Sequence, residues 1–108
     1  MMTMRPAVFH ILLILSEADC HGLGIAEQVD RASGGTMPLG PGTLYRSLAD
    51  MVQDGLIRSV NAAPPSSDSR RKYYRITAAG RTAVKEEATR LARLVGAARA
   101  RNVIEDRT

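Results

Sequence analysis

Residues 40 to 80 constrain the fold of this chain more than any other stretch. Gly40-Pro41-Gly42-Thr43-Leu44-Tyr45-Arg46-Ser47-Leu48 opens a helix, because proline at a first helical position gives up only an N–H that has no partner there. Asp54-Gly55-Leu56-Ile57 then ends the helix and begins a strand. A stretch rich in Pro and Ser, residues 61–69, has turn composition. It leads into Arg70-Arg71-Lys72-Tyr73-Tyr74-Arg75-Ile76-Thr77, a basic strand followed by a capping threonine. Helix, strand, turn-rich tip and basic strand, in that order, form the second half of a winged helix-turn-helix.

The charge is confined to the same region. Between Arg58 and Arg75 the cations are Arg58, Arg70, Arg71, Lys72 and Arg75, and Asp68 is the one anion, so the segment carries +4. The whole chain is also +4, which leaves the remainder neutral. A net charge held in one hairpin suits an element that meets phosphates better than a generally solubilising surface.

The rest of the chain fits one small domain followed by a helix. With 108 residues it supports a single modest core, and the fold class is mainly α with a small β component (α+β). A first helix is expected from Pro6 to about Glu17, apolar on nearly every side through Ile11-Leu12-Leu13-Ile14-Leu15. Its second apolar face, which includes Ile11 and Leu15, is expected to be covered by another subunit. Residues 18–22 read as a turn, residues 23–32 as a second helix closed by Gly34-Gly35, and residues 57–60 and 72–76 as two strands. A last helix follows over about 78–100, behind Thr77. On it Val84, Ala88, Leu91, Val95 and Ala98 recur at spacings of 4, 3, 4 and 3, with Leu94 widening the stripe. That is a coiled-coil seam, and it predicts a homodimer. The division drawn is a DNA-binding unit over 1–77 and a dimerisation helix with its tail over 78–108.

A recognition helix offers small or polar side chains near its N-terminus, so that its backbone can enter a groove while the opposite face anchors it. Helical spacing from Leu44 places Gly42, Thr43, Arg46, Ala49, Asp50 and Gln53 away from a core face of Leu44, Leu48, Met51 and Val52. Arg46 is suited to a bidentate guanine contact, and Thr43 and Gln53 to phosphates or base edges. Tyr45 is expected at the border of the buried face with its hydroxyl free to reach a phosphate. Asp50, one turn beyond Arg46, is expected to orient it. Arg70, Arg71 and Lys72 are expected on the DNA backbone.

These residues together resemble the PadR family of bacterial transcriptional regulators. The resemblance covers about residues 7 to 100. It rests on the helix that opens at Gly40-Pro41-Gly42, on Asp54-Gly55-Leu56-Ile57, on Arg71 through Gly80, and on His21-Gly22 before Ile25-Ala26. It implies a cytoplasmic homodimeric repressor of the short form, with a single C-terminal dimerisation helix. Thr43, Tyr45 and Arg46 would contact DNA, with Arg70, Arg71 and Lys72 in the wing. Two positions depart from the pattern: Leu23 stands where an aromatic, usually Tyr, is common, and Gly40 where a capping Ser is common.

Other functions find little support. The sequence has no P-loop, no His-x-x-x-His pair, no nucleophile elbow and no Cys-x-x-Cys, so neither an enzyme nor a cofactor is expected. His10 and His21 are too isolated to argue a metal site. Cys20 is the one cysteine, which excludes an intrachain disulfide, and it reads as a small residue at a helix end rather than a redox sensor. The apolar run before it is too short for a membrane span, and Glu17-Ala18-Asp19 is no cleavage site, so a cytoplasmic protein is expected. Phe9, Tyr45, Tyr73 and Tyr74 are the only aromatics, so a stacking drug pocket is not expected; any small-molecule effector is left to an aliphatic pocket between the first helix and Leu91, Leu94 or Val95. The alternatives to a DNA-binding regulator are a winged-helix protein-interaction module and a small-molecule-binding dimer with little DNA affinity.

Overall fold

The computed structural model describes residues 4–60 and 72–105. The first helix, α1 (Pro6–Glu17), lies at the centre and touches every other helix and the sheet. Val8, Ile11, Leu12, Ile14 and Leu15 are all buried in this chain's own core, each contributing about 1.5–3 kcal/mol. Ile11 and Leu15, at 0% and 1% exposed, therefore have no surface to give a second subunit. The expectation was wrong for a specific reason: the last helix of the same chain covers the face that seemed to need a partner.

A two-residue strand, β1 (Cys20–His21), leads into α2 (Gly22–Ala32). Residues 18–22 had read as a turn; two of them instead pair antiparallel with a strand more than fifty positions later, a partner that local composition does not reveal. His21 caps α2, its Nδ1 accepting a hydrogen bond from the Gly24 N–H at 3.2 Å. Ile25 and Val29 anchor the helix in the core.

Next come α3 (Pro41–Gln53), β2 (Ile57–Val60), β3 (Tyr73–Ile76) and α4 (Ala78–Ala100). The sheet order is β1-β3-β2, with Ile57 opposite Ile76 and Val60 opposite Tyr73. Helices α2, α3 and α4 end alike: the second residue past the cap donates its N–H back to the sixth-residue carbonyl, as in Gly35 to Asp30, Leu56 to Met51 and Val103 to Ala98. The residue that turns the chain has positive φ each time, Gly34 at 63°, Gly55 at 78° and Asn102 at 60°.

The start of α4 is locked onto the corner between α3 and β2. Thr77 Oγ1 accepts from the Gly80 N–H at 3.0 Å and donates to the Gly55 carbonyl at 2.6 Å. Gly80 then passes directly over the Leu56 carbonyl. Gly80, Val84 and Glu87 are buried against the domain, so α4 begins inside the packed unit. Glu87 is satisfied there by the forked guanidinium of Arg90, at 2.8 and 2.6 Å. Beyond this point α4 leaves the domain: Leu91 is half-buried, and Leu94 and Val95 are 54% and 40% exposed. A helix of 23 residues is about 34 Å long, and the molecule is correspondingly drawn out, with extents of 51 × 28 × 25 Å.

Candidate nucleic-acid interface

The buried stripe of α3 sets what its other side displays. Leu44, Ser47, Leu48 and Met51 face inward. Val52, expected in the core, is 41% exposed, because the inward stripe is centred on Ser47 and Leu48. Gly42, Thr43, Arg46, Ala49 and Gln53 are exposed on α3 as expected, and Lys72 is exposed at the entry to β3. Arg70, Arg71 and the tip over 61–69 lie outside the described residues. Of the residues expected to pair subunits, Ala88, Leu94 and Val95 are exposed and Leu91 and Ala98 are half-buried, whereas Val84 joins Ile11 and Leu15 in the core.

Tyr45 stands further out than expected, at 51% exposure. One side of its ring rests on the first residue of α2, where a methyl group on Gly22 would lie 2.9 Å from the Tyr45 hydroxyl oxygen. The hydroxyl is near enough to Tyr74 to add to the burial that raises the Tyr74 pKa. Asp50 does not engage Arg46. Its carboxylate meets Arg5 at the N-terminal end of α1, at 3.5 Å and largely in solvent. Among the described residues Arg46 has no carboxylate partner, and it is exposed.

The strands carry a row of charges across the sheet. Arg58 and Arg75 are opposite one another on β2 and β3, a repulsive arrangement by itself. Asp19, just before β1, relieves it: Arg75 Nη2 donates to Asp19 Oδ2 at 2.7 Å, and Arg75 Nε reaches both carboxylate oxygens at 3.1 Å. One of the five hairpin cations is thus neutralised from outside the hairpin. That leaves the Arg58 to Arg75 segment and its partner at +3 together, and places Arg75 in structural service.

The hydrogen bonds from Arg75 hold the Asp19 carboxyl below the ordinary carboxylate range; burial opposes this, and the charges of Arg75 and Arg58 assist. A carboxyl depressed in the folded state stabilises the fold fully above its unfolded pKa of about 3.9, and the benefit is lost as pH falls through the lower folded value. Asp19→Asn is expected to lower the melting temperature at neutral pH and to flatten its decline below about pH 4. Glu87, held low chiefly by its hydrogen bond from Arg90, keeps part of that decline in the variant. Thermal unfolding between pH 2 and 7 measures both; an unaltered acid limb would remove the pair from the account.

Cys20 lies on a strand rather than at a helix end. It is buried, and Gln28 Nε2 donates to its sulfur at 3.4 Å. Burial raises the thiol pKa, which disfavours the thiolate that oxidation chemistry needs. Sequence reasoning gave no structural role to Asp19, and it noted Gly22 only as part of the pattern His21-Gly22, without the close contact that a residue lacking a side chain permits there.

The sequence model of the family described as "Transcriptional regulator PadR-like family" matches residues 11–86. A PadR family transcription regulator from Clostridium difficile shares the fold with a TM-score of 0.74 and 30% identity, over 91% of this chain and 98% of that one. Bacillus subtilis PadR, whose structure was solved in complex with operator DNA, aligns with a TM-score of 0.65 at 18% identity, over 76% of this chain and 46% of that one. In sequence, the chain is 33% identical over 95 residues to an uncharacterized 37.1 kDa protein in transposon TN4556 of Streptomyces fradiae, covering 88% of this chain. It spans 26% of that relative's length. Among the described residues, no helix is long and apolar enough to cross a membrane.

Proposed function

The chain belongs to the PadR-like family of transcriptional regulators, and we propose that it acts as a homodimeric repressor that reads an operator with α3 and grips the DNA backbone with its basic hairpin. The observation that carries this reading is the exposed polar face of α3, with Thr43, Tyr45, Arg46 and Gln53 outward; Lys72, at the entry to β3, is exposed as well. The Bacillus subtilis relative on operator DNA supports the same use of the fold. The partner is duplex DNA in the cytoplasm, and the two copies of α3 enter successive major grooves of a pseudo-palindromic site, about 34 Å apart. The free half of α4, with Leu91, Leu94, Val95 and Ala98 beside Ala88, joins the two copies.

The hairpin supplies affinity and α3 supplies discrimination. Contacts from Arg70, Arg71 and Lys72 in each of two subunits neutralise about six phosphates, so the logarithm of the binding constant should fall with the logarithm of salt at a slope of roughly five. A slope near zero in a titration of duplex DNA would favour a protein-interaction module. Arg46 is the base reader: Arg46→Ala is expected to lose about 1–3 kcal/mol of discrimination at one base pair of each half-site while retaining most of the salt slope. Binding measured on duplexes substituted one pair at a time tests it, and unchanged discrimination at every pair would remove Arg46 from base readout.

A further inference from the structure

We propose that Gly22 is a positioning residue for Tyr45: by lacking a side chain, it forms the seat that sets the Tyr45 hydroxyl on the DNA-facing side of α3. The inference rests on Tyr45 contacting DNA, as in the function proposed above. Gly22 is buried although it opens a helix, and the Tyr45 ring is what lies over it. A Cβ on Gly22 would stand 2.9, 3.0 and 3.2 Å from the hydroxyl oxygen, Cε1 and Cζ of Tyr45. No rotation at residue 22 removes that conflict, because the position of a Cβ is set by the backbone. The backbone is itself held, with His21 paired to Tyr73 in the sheet and its imidazole capping α2.

The ring is the part that can yield. Tyr45 is half-exposed, so it can swing off residue 22 into solvent without disturbing the core. The substitution therefore separates two properties that usually fall together. The fold is retained, since alanine is the better helix former. The hydroxyl is displaced, and a hydrogen bond to a phosphate tolerates only a few tenths of an ångström in length. Gly22 and Gly80 make opposite cases: a Cβ on Gly22 meets the far end of a flexible side chain, whereas one on Gly80 meets the backbone carbonyl of Leu56.

The test uses the full chain and a duplex selected by it from a random-sequence library, with Gly22→Ala, Tyr45→Ala and the double variant. In the free protein, nuclear Overhauser contacts are expected between the Tyr45 ring protons and the Gly22 α-protons. In Gly22→Ala the ring signals should shift while the melting temperature stays within a few degrees. Affinity for the selected duplex should fall about tenfold, the scale of one lost hydrogen bond to a charged group. In the Tyr45→Ala background the same change should cost nothing further. Equal losses in both backgrounds, or no loss where Tyr45→Ala is itself impaired, would overturn the positioning role and leave Tyr45 as a contact. If Tyr45→Ala binds as tightly as the natural chain, the DNA contact assigned to Tyr45 fails, and the positioning role fails with it.

Discussion

Gly80→Ala is expected to destabilise the fold by about 3 kcal/mol, the upper end of the range for overpacking, and to lower the melting temperature by roughly 10–20 °C. Gly80 sits where α4 passes over the corner between α3 and β2, and an added Cβ would collide with the Leu56 carbonyl and then with Ile76. A backbone carbonyl cannot step aside as a side chain can. The Leu56 carbonyl also accepts the Thr77 N–H at 3.0 Å, so moving it disturbs the hinge that starts α4. Relief requires α4 to lift from the corner, which uncovers Val84 and part of α1. Thermal or urea unfolding measures the cost, and a variant within 1 °C of the natural chain would show that α4 is not seated as described.

Leu94→Glu is expected to turn the proposed dimer into a monomer and to weaken operator binding by about a hundredfold or more, because two half-sites then cease to be bound as one unit. Leu94 is 54% exposed in the single chain, so a carboxylate there meets water and leaves the subunit's own core intact. Leu91 is a poorer probe, being half-buried in its own domain. Light scattering during size-exclusion chromatography, run over a range of protein concentrations, reports the outcome. A dimer that survives the change would move the subunit interface away from the free half of α4.

The helices were legible because their ends are written locally. Pro6 and Pro41 open two of them, Thr77 caps a third, and Gly34, Gly35 and Gly55 supply the positive φ that closes α2 and α3. Periodicity likewise placed Leu44, Leu48 and Met51 inward and left Thr43, Arg46 and Gln53 outward. It failed at Val52, where a one-residue difference in the centre of the stripe decides between core and surface. It also failed at α1, since an apolar helix announces that it will be covered without saying by what.

What the sequence by itself determined is the order of the four helices and of the two hairpin strands, the approximate helix boundaries, most of the exposed face of α3 and the family pattern carried by residues 40 to 80. All of these depend on interactions between neighbours or on a helical repeat, so they can be read from a short window. The tertiary structure alone decided that α4 covers α1 before leaving the domain, that Cys20 and His21 form a strand, and that Asp19 takes Arg75 out of the basic hairpin. The Asp19 to Arg75 pair spans 56 positions, and the seats at Gly22 and Gly80 are filled by Tyr45 and Leu56, each more than twenty positions away. Contacts of that kind depend on how whole elements pack, and a side chain's availability to DNA or to a partner is settled only once that packing has assigned its neighbours.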